Sequence, residues 1–102
     1  MGRTNDGLSS WQAEADGIDL LEMTPGQLLD QRAEEMPERE ALVYSCYPEV
    51  SGGLDIRWTY REYRDRVDAV ARGLLALGFQ KGEHIAVWAI NLPEWPLLEL
   101  AA

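Results

Sequence analysis

The chain has 102 residues, of which 46% are hydrophobic and 26% charged, and its formal net charge is -9. This composition suits one folded domain or part of one, and the acidity argues against nucleic acid or an anionic membrane as partners. No stretch resembles a secretory signal, a myristoylation motif or a membrane span, and Cys46 is the single cysteine. We therefore expect a soluble, cytoplasmic protein without a disulfide or a multi-cysteine metal site.

A helix is predicted to follow a tail. Residues 1–23 show no sustained hydrophobic period and predict loose order. Thr24 is a typical N-cap, Pro25 suits the first helical position, and Gln27 completes a capping box. The helix should end at Pro37. Its buried face is expected to contain Leu28, Leu29, Ala33 and Met36.

An antiparallel hairpin is predicted next. Residues 41–47 are rich in apolar and aromatic side chains, and residues 55–59 alternate Ile56 and Trp58 with polar neighbours. Pro48, Gly52 and Gly53 interrupt the segment between them, which predicts a rather long loop.

A second capping box, Thr59 with Glu62, predicts a second helix. Glu62 and Arg66 have the spacing of a favourable ion pair on its polar side. Gly78 should end the helix in the left-handed conformation, with Phe79 folding back on the last turn. The predicted apolar face comprises Tyr63, Val67, Val70, Ala71, Leu74 and Leu77.

The final part of the chain predicts a buried strand and one more helix. Residues 85–90 form a nearly continuous apolar run, which is typical of a parallel strand covered on both faces. Asn91 is the expected N-cap of the last helix, with Glu94 three residues later. No stop signal follows, so this helix is predicted to be incomplete. Its apolar face would contain Trp95, Leu97, Leu98 and Leu100.

Two segments of the chain resemble a known family. The segments TPGQLLDQRAEEMPEREALVY and RWTYREYRDRVDAVARGLLALGFQKGEHIAVWAINLPEW resemble the opening of AMP-forming acyl-CoA synthetases, within the adenylate-forming superfamily. These segments are most similar in sequence to those of ligases for medium- or long-chain fatty acids. The resemblance implies an α/β fold, a truncated N-terminal portion of the large domain. Its elements would be helix, β-hairpin, helix, buried strand and incomplete helix over residues 24–102.

The resemblance also implies a reaction for an intact enzyme. A fatty acid would attack the α-phosphate of ATP to give an acyl-adenylate, and the CoA thiol would then displace AMP. ATP, Mg²⁺ and CoA are thus implied for the intact enzyme. The Ser/Thr/Gly-rich phosphate loop with its Lys and the aromatic-G-x-T-E motif of the family do not occur here. We therefore assign this chain no catalytic, cofactor-binding or metal residue and expect it to be inactive alone.

Several reactive residues have simpler interpretations. His84 lacks a nucleophile or carboxylate placed by a motif, so an exposed histidine at a strand edge is favoured. Cys46 lies in a predicted strand and suits packing better than nucleophilic attack. The order helix, Lys81, Gly82, strand is the reverse of a phosphate-binding loop.

The aromatic and charged groups are interpreted similarly. Trp11, Trp58, Trp88 and Trp95 favour packing over a ligand pocket. Acidic residues interleave with the arginines at 57, 61, 64, 66 and 72, which predicts a solvated, salt-bridged helix face. Glu34 and Glu35 are adjacent on a helix and point in different directions, which is unsuitable for shared acid–base chemistry.

Two functions stay open. The first is the N-terminal piece of an acyl-CoA ligase. The second is a small α/β interaction module of the same ancestry, which would bind a partner protein or self-associate through an uncovered apolar face. The reading frame beyond Ala102 and an assay of ATP–pyrophosphate exchange distinguish the two.

Overall fold

The computed structural model describes Gly17, residues 20–45 and residues 55–102. These residues contain three helices and one two-stranded antiparallel sheet, consistent with an α/β fragment. Cys46, Trp11, the loop at 48–54 and most of the expected tail lie outside the described residues. The elements in chain order are α1 (Pro25–Glu35), β1 (Glu40–Ser45), β2 (Asp55–Thr59), α2 (Tyr60–Ala76) and α3 (Glu94–Ala101).

Both expected capping boxes form. The Thr24 hydroxyl accepts a hydrogen bond from the Gln27 amide at 3.2 Å, and the Gln27 side chain accepts one from the Thr24 amide at 2.9 Å. Thr59 and Glu62 repeat this geometry at 3.2 and 2.9 Å. Two otherwise unpaired amide groups are satisfied at each helix start, so the starts of α1 and α2 are confirmed.

The hairpin is confirmed as antiparallel. Leu42 pairs with Trp58 and Tyr44 with Ile56, and this face packs towards the helices, while Arg57 on the opposite face is exposed. A bulge interrupts the register between Glu40 and Leu42. β1 is described from Glu40 to Ser45, and the last two residues of the predicted strand, 46 and 47, lie outside the described residues.

A small core joins the hairpin to α1 and α2. The Trp58 and Tyr63 rings stack with their centroids 6.4 Å apart, and the Arg66 guanidinium lies 4.7 Å from the Trp58 centroid. Two members of the expected α1 face, Leu28 and Met36, are only half-buried. The buried apolar residues of the core are Leu29, Ala33, Trp58, Tyr63 and Val67.

The first turn of α2 is also tied to the turn that follows α1. The Tyr60 amide donates to the Arg39 carbonyl at 2.9 Å, and the Arg61 amide donates to the Pro37 carbonyl at 3.1 Å. The Arg61 side chain pairs with Glu38 at 2.7 Å. These bonds fix the hairpin and α2 relative to α1, so the core is held by backbone contacts as well as by apolar packing.

The backbone at the end of α2 has the predicted conformation, but one side chain predicted to be buried there is exposed. Gly78 has φ +95°, and the amides of Gly78 and Phe79 donate to the carbonyls of Leu75 and Leu74, which is a Schellman motif. Leu77, however, is 78% exposed. Its predicted place on the buried face is wrong because it follows the last helical residue, Ala76, and no described element covers it.

The expected pair between Glu62 and Arg66 is also replaced by other contacts. The Glu62 carboxylate is used in the capping box, and the Arg66 guanidinium lies over Trp58. Each group has a partner that the helix spacing alone did not reveal. The cap satisfies an amide that would otherwise be unpaired, whereas an exposed ion pair contributes little to stability.

The predicted strand at 85–90 does not form. These residues belong to no sheet, because β1 and β2 pair with each other and the described residues offer no further strand. Exposure still alternates along the run: Ile85 and Val87 are half-buried, whereas Ala86 and Trp88 are exposed. One face is therefore partly covered, and our expectation of two covered faces is wrong for this chain.

The last helix begins later than predicted. Its N-cap position is occupied by Pro93, with φ -64° and ψ -19°, and no side chain caps the helix. Asn91 is not the cap because Leu92 precedes a proline, which disfavours helical dihedrals at Leu92. α3 continues to Ala101, as the lack of a stop signal predicted. None of the described helices has the length and apolar character needed to cross a membrane.

Candidate functional site

Two shallow hollows flank Ile85 near the end of the chain, between α2, α3 and the segment that connects them. One has a volume of about 420 Å³ and the other about 310 Å³. Ile85 and Ala102 border both. The larger hollow is mainly apolar and is lined by Ala71, Leu74, Leu75, Phe79, Gln80, Lys81, Gly82, Glu83, Ile85, Ala101 and Ala102.

Lys81 and Gly82 form a tight turn at the edge of the larger hollow. Gly82 has φ +93°, which suits glycine. The Glu83 carboxylate accepts a hydrogen bond from the Gln80 amide at 2.7 Å, and the Glu83 amide donates to the Gln80 carbonyl at 3.2 Å. The turn therefore uses its own carboxylate to satisfy its backbone, while Lys81 is exposed.

Trp95 holds the start of α3 against the connecting segment. Its indole N–H donates to the carbonyl oxygens of Ala89 and Ile90 at 3.3 and 3.0 Å. The ring also lines the smaller hollow, and Trp95 is 36% exposed. Trp95 thus fixes where the connecting segment ends and α3 begins.

Tyr63 attaches α2 to the first turn of α3. Its hydroxyl donates to the Pro96 carbonyl oxygen at 2.9 Å. Burial, followed by the nearby Glu99 carboxylate, raises the pKa of Tyr63, because both disfavour the phenolate. The neutral hydroxyl is therefore the form that joins the two helices.

The structure disperses the residues singled out in the sequence. His84 is exposed, as predicted. Trp58 is buried in the core, which confirms the prediction that it has a packing role. Trp88 is fully exposed, at 102%, so its expected packing is wrong for this chain. No described element packs over that face of residues 85–90. Cys46 and Trp11 lie outside the described residues.

The charged residues behave mostly as a solvated surface. Arg57 pairs with Glu40 at 3.2 Å, and Arg64 lies 3.4 Å from Asp65, with most of these side chains well exposed. Such pairs contribute little to stability. Arg66 differs from Arg57 and Arg64, because its guanidinium lies over the Trp58 ring.

Glu34 and Glu35 do not form an acid–base pair. Both are exposed. The Glu35 carboxylate accepts hydrogen bonds from Gln31 and Arg32, each at 2.7 Å. The Gln31 bond, with a further contribution from Arg32, lowers the pKa of Glu35. This carboxylate is held ionised and belongs to the helix surface.

The described residues do not fit a nucleotide–magnesium site. Among them, no three His, Cys, Asp or Glu side chains lie close enough to hold a metal ion. Lys81 borders a mainly apolar hollow.

Sequence reasoning missed three side-chain contacts: Tyr63 with Pro96, Trp95 with Ile90, and Arg66 with Trp58. Tyr63 and Arg66 are three residues apart on α2 and share a side of the helix. That spacing was the available signal for a joint aromatic cluster with Trp58. The contacts to Pro96 and Ile90 required knowledge of how α3 packs.

Comparison with known proteins gives a consistent result. The family model described as AMP-binding enzyme matches residues 29–102. The Bacillus subtilis (strain 168) protein named "Putative acyl-CoA synthetase YngI" is 37% identical over 81% of this chain and 14% of its own length. The mitochondrial medium-chain acyl-CoA ligase ACSF2 of Pongo abelii is 40% identical over 80% of this chain and 12% of its own.

A fungal acyl-CoA ligase is also similar to this chain. The acyl-CoA ligase sidI of Aspergillus fumigatus is 37% identical over 80% of this chain and 13% of its own length. The chain thus spans between 12% and 14% of these curated relatives. No solved structure matches the chain significantly.

Proposed function

The chain belongs to the AMP-binding enzyme family, and from that premise we propose that it is the N-terminal part of an AMP-forming acyl-CoA synthetase. The match over residues 29–102 carries this proposal, because acyl-CoA synthetases and ligases of bacteria, mammals and fungi align with the same region. In this proposal residues 24–102 are part of the large N-terminal domain, and residues 1–23 are its tail.

The proposed role of this part is structural. α1, the hairpin and α2 share a core, whereas ten large apolar side chains remain exposed among the described residues. Trp88, Leu77 and Leu75 are the most exposed, at 102%, 78% and 70%. Apolar surface of this kind is typical of a contact with further protein. The rest of a synthetase, several times longer than this chain, would provide that contact.

The chemistry is proposed to lie elsewhere in the intact enzyme. Fatty acid, ATP, Mg²⁺ and CoA would be its substrates and cofactors, and the described residues provide no metal cluster to engage them. Medium-chain acids are named for the mammalian relatives, which supports a medium- or long-chain fatty acid as the substrate class. We propose that the 102-residue chain alone is inactive.

A cytoplasmic location is part of the same proposal. The names of the mammalian relatives instead specify mitochondria. Fractionation of cells that produce the protein, with a mitochondrial marker measured beside it, decides between the two compartments.

The direct test of inactivity is ATP–pyrophosphate exchange dependent on a medium-chain fatty acid, measured on the purified 102-residue chain. We expect no exchange above a sample without protein. The Bacillus subtilis relative, assayed with the same fatty acids, is the positive control. Exchange that rises with the concentration of the chain would contradict the proposal.

The exposed apolar residues also favour a second candidate function, a stand-alone interaction module that self-associates or binds a partner protein. Such a module should melt as a cooperative unit. Sedimentation of the isolated chain over a range of concentrations tests self-association. A reading frame that continues beyond Ala102 into a Gly-rich phosphate loop would exclude the module.

A further inference from the structure

Lys81 is the single lysine of the 102-residue chain, so any modification of a lysine in this chain occurs there. It lies at the corner of the tight turn from Gln80 to Glu83, which is closed by the 3.2 Å hydrogen bond from the Glu83 amide to the Gln80 carbonyl. Gly82 follows with φ +93°, as in a type II turn. The turn therefore presents Lys81 in an exposed position.

The Lys81 amine is not engaged by another described side chain. No described carboxylate lies within ion-pair distance of it. The Glu83 carboxylate, two residues later, accepts a hydrogen bond from the Gln80 amide at 2.7 Å instead. A lysine amine that has lost its proton is a nucleophile towards carbonyl carbon. Lys81 is therefore available for reaction with an electrophile from solution.

An apolar hollow lies beside this amine. Lys81 borders the hollow of about 420 Å³, whose apolar lining includes Leu74, Leu75, Phe79 and Ile85. This volume is within the range of about 300–1,000 Å³ that is typical of small-ligand sites. A hydrocarbon chain attached to Lys81 would lie within reach of these side chains and would remove apolar surface from water.

We propose that Lys81 is a site of covalent acylation, with a medium-chain acyl-CoA as the donor and the hollow receiving its hydrocarbon chain. The inference rests on the proposed function, because an acyl-CoA synthetase would make this donor. The Lys81 nitrogen attacks the thioester carbonyl carbon, the C–S bond breaks, and CoA leaves as a thiolate that takes up the proton lost by the amine. The products are an amide at Lys81 and free CoA, without oxidation or reduction.

The hollow distinguishes this site from an ordinary surface amine. Octanoyl-CoA and acetyl-CoA carry the same thioester group, but only the octanoyl chain is long enough to cover much apolar surface. Holding that chain in the hollow keeps the thioester close to the amine. We expect Lys81 to react about tenfold faster with octanoyl-CoA than with acetyl-CoA at equal concentration, since a shallow hollow covers only part of the chain.

Mass spectrometry of the 102-residue chain after incubation with each thioester tests the proposal. Tandem spectra locate the acyl groups, and hydroxylamine removes any thioester formed at Cys46, the single cysteine, while it leaves amides intact. The α-amine of the same chain is the internal reference and should react with octanoyl-CoA no faster than with acetyl-CoA. Absence of octanoylation at Lys81, or the same ratio of rates at Lys81 as at the α-amine, would overturn the proposal.

Three substitutions separate the role of the amine from that of the hollow. Lys81→Arg keeps the positive charge without the acylatable amine, so octanoylation at this position should disappear. Leu75 lines the hollow and is 70% exposed, so Leu75→Asn should preserve the fold and abolish the preference for octanoyl-CoA. Leu77→Asn is the matched control, because Leu77 is 78% exposed and lies outside the lining of the hollow. Equal effects of the two leucine substitutions would contradict the role of the hollow.

Failure of this inference and failure of the proposed function give different results. In a graft, residues 20–102 replace the matching segment of the Bacillus subtilis relative; acyl-CoA formation is measured first, and octanoyl-CoA is then added. A graft that forms acyl-CoA but stays unmodified at Lys81 would overturn this site and leave the synthetase role intact. A graft that is octanoylated at Lys81 but forms no acyl-CoA would support the site and count against the synthetase role.

Discussion

The Tyr63 hydroxyl donates a 2.9 Å hydrogen bond to the Pro96 carbonyl oxygen, 33 residues later in the chain. Tyr63 is buried and also stacks against Trp58 at the centre of the core. Pro96 lies in the first turn of α3, next to Trp95, whose indole holds the preceding segment. One side chain therefore connects the hairpin core to the position of α3.

Removing this hydroxyl should loosen α3. Tyr63→Phe keeps the ring but leaves the Pro96 carbonyl without its donor, so we expect a loss of about 1 kcal/mol in the free energy of unfolding. Urea denaturation measures the loss, and hydrogen exchange should rise selectively at residues 94–101. Tyr60→Phe is the matched control, because the Tyr60 hydroxyl forms no hydrogen bond with another described residue. Equal effects of the two substitutions would contradict this role.

Stability should also fall in alkaline solution through the same residue. The pKa of Tyr63 is raised in the folded chain, so the folded state holds this proton more tightly than the unfolded state. Its contribution is complete below the unfolded pKa of about 10 and is lost as pH rises above that value. Urea midpoints at pH 8 and above pH 10 test this, and Tyr63→Phe should reduce the difference. An unchanged difference would show that other groups cause it.

The capping box of α2 should contribute measurably to folding. Thr59→Ala removes the oxygen that accepts from the Glu62 amide, and we expect a cost of about 1 kcal/mol. Thr59→Ser retains that oxygen and should stay close to the original stability. Thermal melts of both variants provide the comparison. A serine variant as unstable as the alanine variant would mean that the methyl group of Thr59, rather than the cap, matters.

Replacing Gly73, within α2, and Gly78, just after it, by alanine should change the free energy of unfolding in opposite directions. At neither position would an added Cβ meet another atom within 4 Å, so contacts do not distinguish them. Gly78 has φ +95°, and Gly78→Ala should cost about 1–2 kcal/mol. Gly73 lies within the helix, and Gly73→Ala should stabilise by about 0.5–1 kcal/mol. Chemical denaturation of the pair checks the signs, and equal signs would contradict the assigned conformations.

The features predicted correctly from the sequence are those determined by nearby residues. The caps at Thr24 and Thr59 and the turn at Gly78 form hydrogen bonds within a few positions, so their residue types contain most of the information. The Asn91 cap failed for an equally local reason. Pro93 restricts Leu92, and this restriction outweighs the preference of asparagine for a cap.

Features that depend on the surroundings of residues 85–90 and on the packing of α3 could not be predicted. Residues 85–90 have the composition of a buried strand, but strand formation requires a neighbour that the described residues do not provide. The exposure of Trp88 and Leu77 has the same origin, since hydrophobic patterning predicts which side chains favour burial and not what covers them. The contacts of Tyr63 with Pro96 and of Trp95 with Ile90 depended on the packing of α3.

The most direct test of the proposed synthetase role is acyl-CoA formation by the grafted Bacillus subtilis relative, in which residues 20–102 replace the matching segment. Formation should depend on fatty acid, ATP and CoA and stay within about tenfold of the unmodified enzyme, a difference of about 1.4 kcal/mol in activation free energy. The 102-residue chain alone should form none. A graft that folds as its parent does but forms no acyl-CoA would contradict the assignment of this chain to an acyl-CoA synthetase.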